Sequence, residues 1–181
     1  GPFAAIGLYE ISRRREQGLD SSWRHAFEVL QSPAIGQIVL LGLMLTGLFL
    51  AWLACAWLIY RAQLGLPADV STAEFLRATF TTFNGWVMII LGNSIGLLFA
   101  ILAFAISVVS FPLIIDRHVD VPTAVRTSIA AVEASPRVMM YWGLVVTGLL
   151  VLGCLPVLVG LVVVMPVLGH ATWHLYRKVV A

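Results

Sequence analysis

Three stretches of this chain carry no Asp, Glu, Lys or Arg: Val29 to Tyr60, Ala78 to Ile115 and Val138 to Tyr176. Each exceeds the roughly 20 apolar residues that take a helix across about 30 Å of hydrocarbon. In such a solvent every backbone polar group must be bonded internally, so the expected fold is all-α, a polytopic transmembrane helix bundle forming one membrane domain over residues 1–181. Composition agrees where it discriminates: 11% of the residues are charged, against about 25% in soluble domains. A net charge of only +2 argues for no nucleic-acid partner. Cys55 and Cys154 sit inside apolar runs without C-x-x-C spacing, and read as small core residues rather than a disulfide or zinc site.

The apolar opening, Gly1 to Tyr9, is too short to span and is followed by Glu10 and Arg13-Arg14-Arg15. A signal peptide carries its positive charge ahead of its apolar part, so this order is that of the end of a crossing helix, and further spans are expected upstream. Ser32-Pro33, Asn84-Gly85 and Ser135-Pro136 then recur at near-equal intervals. Each follows a short amphipathic segment and precedes a long apolar run. Trp23, Ala26, Phe27 and Leu30 line one helical face, with Arg24 and His25 away from it; Val125, Ile129 and Val132 do the same behind an Asp120-Val121-Pro122 start. Ser71-x-x-Glu74 is a capping box ahead of Phe75, Leu76, Thr79, Phe80 and Phe83. Residues 2–83 and 108–178 thus read as copies of one repeat with amphipathic interfacial helices, in this case Ser22 to Gln31 and Pro122 to Ala134.

Charge placement predicts sidedness. Arg13, Arg14, Arg15, Arg24, Arg117, Arg126 and Arg137 fall on one side of the predicted crossings Ile35 to Tyr60 and Trp86 to Ile115, and Arg61 and Arg77 on the other. The first side is therefore expected to be cytoplasmic, with Arg24, Arg117, Arg126 and Arg137 meeting headgroups or a partner. As one helix, Met139 to Tyr176 would be roughly 57 Å long, nearly twice the hydrocarbon thickness. A hairpin turning at Gly153-Cys154-Leu155-Pro156 returns Arg177 and Lys178 to the arginine-rich side and is the favoured arrangement. The Trp and Tyr residues near span ends, Trp86, Trp142, Trp173, Tyr141 and Tyr176 among them, read as belt residues at headgroup level. Gly92-x-x-x-Gly96 offers a small surface for close helix packing.

Little in the chain points to catalysis. No ionisable residue lies in the centre of a span; Asn93, Ser94, Ser107 and Ser110 are the chief intramembrane polar groups, read first as interhelical hydrogen-bonders and second as a polar path. His170 and His174, at i and i+4, have the spacing of a haem or metal pair, but no third ligand is nearby, so no cofactor and no metal is expected. Asp116-Arg117-His118 with Asp120 reads as an ion-paired helix end, because no nucleophile or phosphate loop accompanies it.

Four strings, GPFAAIGLYEISRRREQG (1–18), SWRHAFEVLQSP (22–33), VVSFPLIIDR (108–117) and PVLGHATWHLYRK (166–178), resemble a proteobacterial family of predicted integral membrane proteins with a domain of unknown function, along essentially the whole chain. The resemblance implies a bacterial inner (cytoplasmic) membrane location, spans before residue 1 and no established activity. A label of cytochrome c oxidase subunit I, carried by some relatives, is rejected: that subunit needs six histidines and this chain has four. The expected role is non-catalytic, an accessory subunit or scaffold of a larger membrane complex, or a lipid-interacting factor, with the phospholipid bilayer and other membrane subunits as partners. A small-molecule or lipid passage, and a haem or metal protein using His170 and His174, are the alternatives.

Overall fold

A computed structural model describes residues 34–67, 69–155 and 158–180. Its helices are α1 (Ile35–Gln63), α2 (Thr72–Thr81), α3 (Phe83–Ser107), α4 (Ser110–Arg117), α5 (Val121–Ala134), α6 (Pro136–Cys154) and α7 (Leu161–Val180), with no strand among the described residues. The expected all-α fold holds. Three stretches are long and apolar enough to cross a membrane: Ile35–Gln63, Phe83–Arg117 and Pro136–Cys154. Residues 1–33, with the expected helix Ser22 to Gln31, Arg24 and the first part of the repeat copy 2–83, lie outside the described residues.

Residues 43–103 form one compact unit, and the described residues 34–42 and 104–180 another. In the first, α1 stops where Gly65 takes a left-handed φ of +56°, a conformation that costs glycine little. The N–H groups of Leu64 and Gly65 both bond the Tyr60 carbonyl, at 2.9 and 3.1 Å. The capping box forms in part: Ser71 Oγ accepts the Glu74 N–H at 3.2 Å, starting α2. The expected breaker at Asn84-Gly85 does not break the chain. The junction is Thr82, and both residues lie inside α3. Thr82 Oγ1 accepts the Gly85 N–H at 3.0 Å and donates to the Ala78 carbonyl at 2.6 Å, so one hydroxyl serves both helix ends. A Cβ on Gly85 would overlap the carbonyl oxygens of Thr79 and Ala78. Here the glycine permits a tight corner instead of ending a helix. Leu76, Phe80 and Phe83 remain exposed beside it, an apolar face suited to lipid.

The other unit holds the core. Ala34, Ile38 and Leu41 at the start of α1 join Val108, Val109, Leu113, Ile114, Ile115, Val121, Ala124, Ala131, Met139, Trp173 and Tyr176 in one buried cluster. The start of α1, the apolar part of α4, one face of α5, the start of α6 and the end of α7 meet there. The buried face of α5 is Val121, Ala124, Ser128 and Ala131, which is rotated from the expected Val125, Ile129 and Val132. Small side chains let α5 approach its neighbours closely, while Val125 and Val132 flank the cluster.

The last apolar run is a hairpin, as favoured. Residues 155–160 separate α6 from α7, and Met139, near the start of α6, shares a cluster with Trp173 and Tyr176, near the end of α7. At the turn a Cβ on Gly153 would meet Leu161 Cδ2 at 2.9 Å and Val164 Cγ2 at 3.2 Å, so a larger residue would force the two limbs apart. The second limb, α7, is not among the three span-like stretches. It carries Pro166 inside, ends in Arg177 and Lys178, and buries Leu168, Gly169, Trp173 and Tyr176 in protein.

Candidate functional site at the charged end of the core

The predicted crossing Trp86 to Ile115 breaks between Ser107 and Ser110, and the groups freed by the break are satisfied by a side chain from another helix. Ser128 Oγ, buried at 0% exposure, accepts the Val109 N–H at 3.2 Å and donates to the Ala105 carbonyl at 2.6 Å. Ser110 Oγ donates back to the Ile106 carbonyl. A break in an apolar helix is tolerable only where its polar groups find such partners. Ser128→Ala orphans both groups and is expected to cost about 1–3 kcal/mol, measured by SDS titration of the purified protein. Nearby, the Gln37 side-chain oxygen accepts the Val121 N–H at 3.0 Å and caps α5, while Asp120, the expected start residue, makes no side-chain cap bond. Both Ser128 and Gln37 escaped the sequence reading. The available signal was a lone polar residue on an otherwise small or apolar face.

Just beyond the break, α4 ends in Asp116 and Arg117, the first charges after the run from Ala78. Helix α7 ends in Arg177 and Lys178, the first charges after Arg137. These ends meet. Tyr176 donates its hydroxyl to Asp116 Oδ2 at 2.7 Å, and the same oxygen lies 3.6 Å from Arg177 Nη1 and 3.9 Å from Arg117 Nε. Asp116 is 15% exposed, against 44% and 54% for the two arginines. His118 follows in a left-handed conformation, with its N–H on the Ile114 carbonyl, and closes α4. The expected ion-paired helix end is present, and Arg177 and Tyr176, sixty residues away in sequence, complete it.

The other sequence candidates are dispersed. Arg126 and Arg137 are exposed, on α5 and in the first turn of α6. Asn93 is exposed and donates to the Ile89 carbonyl of its own helix at 2.8 Å; Ser94 is also exposed. Ser107 and Ser110 belong to the core unit instead. A depression of about 520 Å³ is lined by Thr147, Leu150, Val151, Cys154 and Leu155, none of them among those four. His170 is half-buried and His174 exposed, and no group of three or more His, Cys, Asp or Glu among the described residues could hold a metal ion. Three further expectations are corrected. Trp173 and Tyr176 are not belt residues but core, at 0% and 1% exposure, whereas Tyr141, 70% exposed, suits a belt. Cys154 is exposed rather than buried. Gly92 has open space where a side chain would be, and only Gly96 of the pair is approached, by Trp52 Nε1.

The arrangement is that of a membrane-embedded helical protein with a packed, charged end, and a family model agrees with it. Residues 1–116 match the family described as "Predicted integral membrane protein (DUF2189)". The chain belongs to this family. The DUF2189 match covers α1 to α4 and stops at Asp116, so it is narrower than the whole-chain resemblance, and the GHATWHLYRK string lies outside it. Arg177 and Tyr176, which complete the ion-paired end, are therefore supplied by the part of this DUF2189 protein beyond the matched segment. No curated protein and no solved structure matches the chain.

Proposed function

We propose that this protein is a non-catalytic component of a bacterial inner membrane, acting as a scaffold or accessory subunit with its arginine-rich end on the cytoplasmic side. One observation carries the reading: packing is concentrated at one charged end while the span surfaces stay open. Only 11% of the apolar window of α1, 11% of that of α6 and 39% of that of Phe83–Arg117 are buried within the chain. Large apolar side chains such as Leu43, Leu50, Trp57, Leu144 and Val151 are half or more exposed. Lipid alone can cover such surfaces, but helices with this much free lateral area also suit packing against other subunits. Extraction in mild detergent is expected to yield the protein with another membrane protein in fixed stoichiometry, and photo-crosslinkers placed at Leu50 and Val151 are expected to capture that same protein. Isolation alone, with crosslinks to lipid only, would remove the subunit reading.

A further inference from the structure

Helix α2 divides its surface three ways. At 3.6 residues per turn, Phe75 and Thr79 share one face, Leu76 and Phe80 the next, and Glu74, Arg77 and Thr81 the third. The first face is covered by protein: Thr79 is buried, and the Phe75 ring packs against that of Tyr60 near the end of α1, with centroids 6.2 Å apart. The third is polar and exposed. The second is apolar and open, Leu76 and Phe80 each being about half exposed. It continues into α3, because the Trp86 indole N–H donates to the Phe80 carbonyl at 3.1 Å and Phe83 stands 82% exposed at the start of that helix. Ile90 and Leu97 extend the same apolar exposure along the span. Helix α2 stands between the end of one span-like helix and the start of the next, which holds it where hydrocarbon meets headgroups. Charge does not account for its attachment there. From Arg61 to Thr81, two arginines are balanced by Asp69 and Glu74, whereas helices drawn to anionic lipid carry a polar face rich in Lys and Arg.

We propose that α2 lies in the plane of the membrane with Leu76, Phe80 and Phe83 inserted among the upper acyl chains of the leaflet where α1 ends and α3 begins, and that this attachment is apolar and indifferent to headgroup charge. The covered face fixes α2 against α1, the polar face meets water, and the open face has lipid as its occupant because it is continuous with the lipid-facing surface of α3. The inference rests on the membrane-embedded reading and not on a protein partner: the subunit reading stands or fails on co-purification and on crosslinks at Leu50 and Val151, this surface on lipid contact at α2.

The test uses the full chain in phosphatidylcholine nanodiscs that contain a phosphatidylcholine with a photoreactive diazirine in its upper acyl chain, the labelled residues being read by mass spectrometry. Label is expected on Leu76, Phe80 and Phe83 and not on Glu74 or Thr81. Amide hydrogen exchange over residues 72–81 is the second reading. L76S/F80S removes side chains that the rest of the chain leaves open, and is expected to speed exchange about tenfold through loss of their burial in lipid. R77Q, and added phosphatidylglycerol, should leave exchange nearly unchanged. An unlabelled α2 beside labelled α1 and α3 overturns the proposal, as does wild-type exchange in L76S/F80S. An effect of R77Q or of phosphatidylglycerol as large as that of L76S/F80S overturns the apolar attachment in favour of charge. In vesicles holding many copies, crosslinking of one chain to another through a photoreactive residue at Phe80 overturns the lipid assignment in favour of self-association. If L76S/F80S does not fold, the position of the label on the wild-type chain decides.

Discussion

Trp173→Ala is expected to destabilise the protein by about 3–5 kcal/mol, the usual cost of emptying a large aromatic site in a packed core. Trp173 is 0% exposed and packs against the Tyr176 ring at a tilt of 53°, with ring centroids 5.5 Å apart. It belongs to a buried cluster built from α1, α4, α5, α6 and α7, so a cavity there is not closed by moving one helix. Tyr176 is the next turn's anchor and holds Asp116, so loosening Trp173 also loosens the charged end. Trp57→Ala is the matched control. That ring is 59% exposed and faces Arg61 at 5.9 Å, a cation–π contact worth about 0.5–1 kcal/mol at an exposed position. SDS titration or thermal unfolding in detergent reads both variants; equal losses would mean that the packed end is not where stability resides.

Gly85→Ala should act almost as strongly by the opposite route, overfilling instead of emptying. The new methyl group would overlap backbone carbonyls of Thr79 and Ala78, which cannot swing aside as a side chain can. The corner between α2 and α3 must open, with the Thr82 bond to Gly85 N–H strained or lost. An expected cost is about 1–3 kcal/mol, accompanied by faster proteolysis near Thr82. Gly92→Ala and Gly148→Ala should have the reverse sign. Nothing lies within 4 Å of a Cβ at either position, so each keeps its packing and gains about 0.5–1 kcal/mol of helix propensity. A Gly85→Ala variant as stable as Gly92→Ala would refute the corner.

The functional consequence of this architecture lies in what is ordered and what is left open. The packed end fixes where Arg117 and Arg177 stand at the end of apolar segments, while α1, α3 and α6 leave large apolar side chains available to lipid or to other helices. The scaffold or accessory-subunit role proposed above would use those open surfaces.

Several elements were legible from residue order because the forces that set them are local. Uncharged runs mark α1, α3 and α6, the Ser71 hydroxyl is three residues from the N–H it caps, and Gly153 with the residues after it ends α6. The buried face of α5 differs from the one its sequence predicts, since Val and Ile outrank Ala and Ser in apolarity but not in how closely a neighbour can approach. Trp173 and Tyr176 read as headgroup-belt residues in the sequence because an amphipathic ring near a span end is satisfied equally by headgroups and by a protein partner, and sequence holds no information on which is present. The Asn84-Gly85 junction was misplaced by two residues for a related reason: glycine marks either a break or a close approach, and only the position of Thr79 and Ala78 separates the two.

The order of residues by itself determined that this is a helical membrane protein and where its long apolar stretches run, because transfer of charge and of unbonded backbone into hydrocarbon is prohibitive along any stretch of chain; it favoured a fold-back in the last stretch without deciding it. Only the tertiary structure decided that Ser128 mends the break at Val109, that Gln37 caps α5 and that Asp116 gathers Tyr176, Arg117 and Arg177. Those bonds join residues far apart in the chain. Their partners are chosen by how the helices pack, a choice that no local pattern encodes.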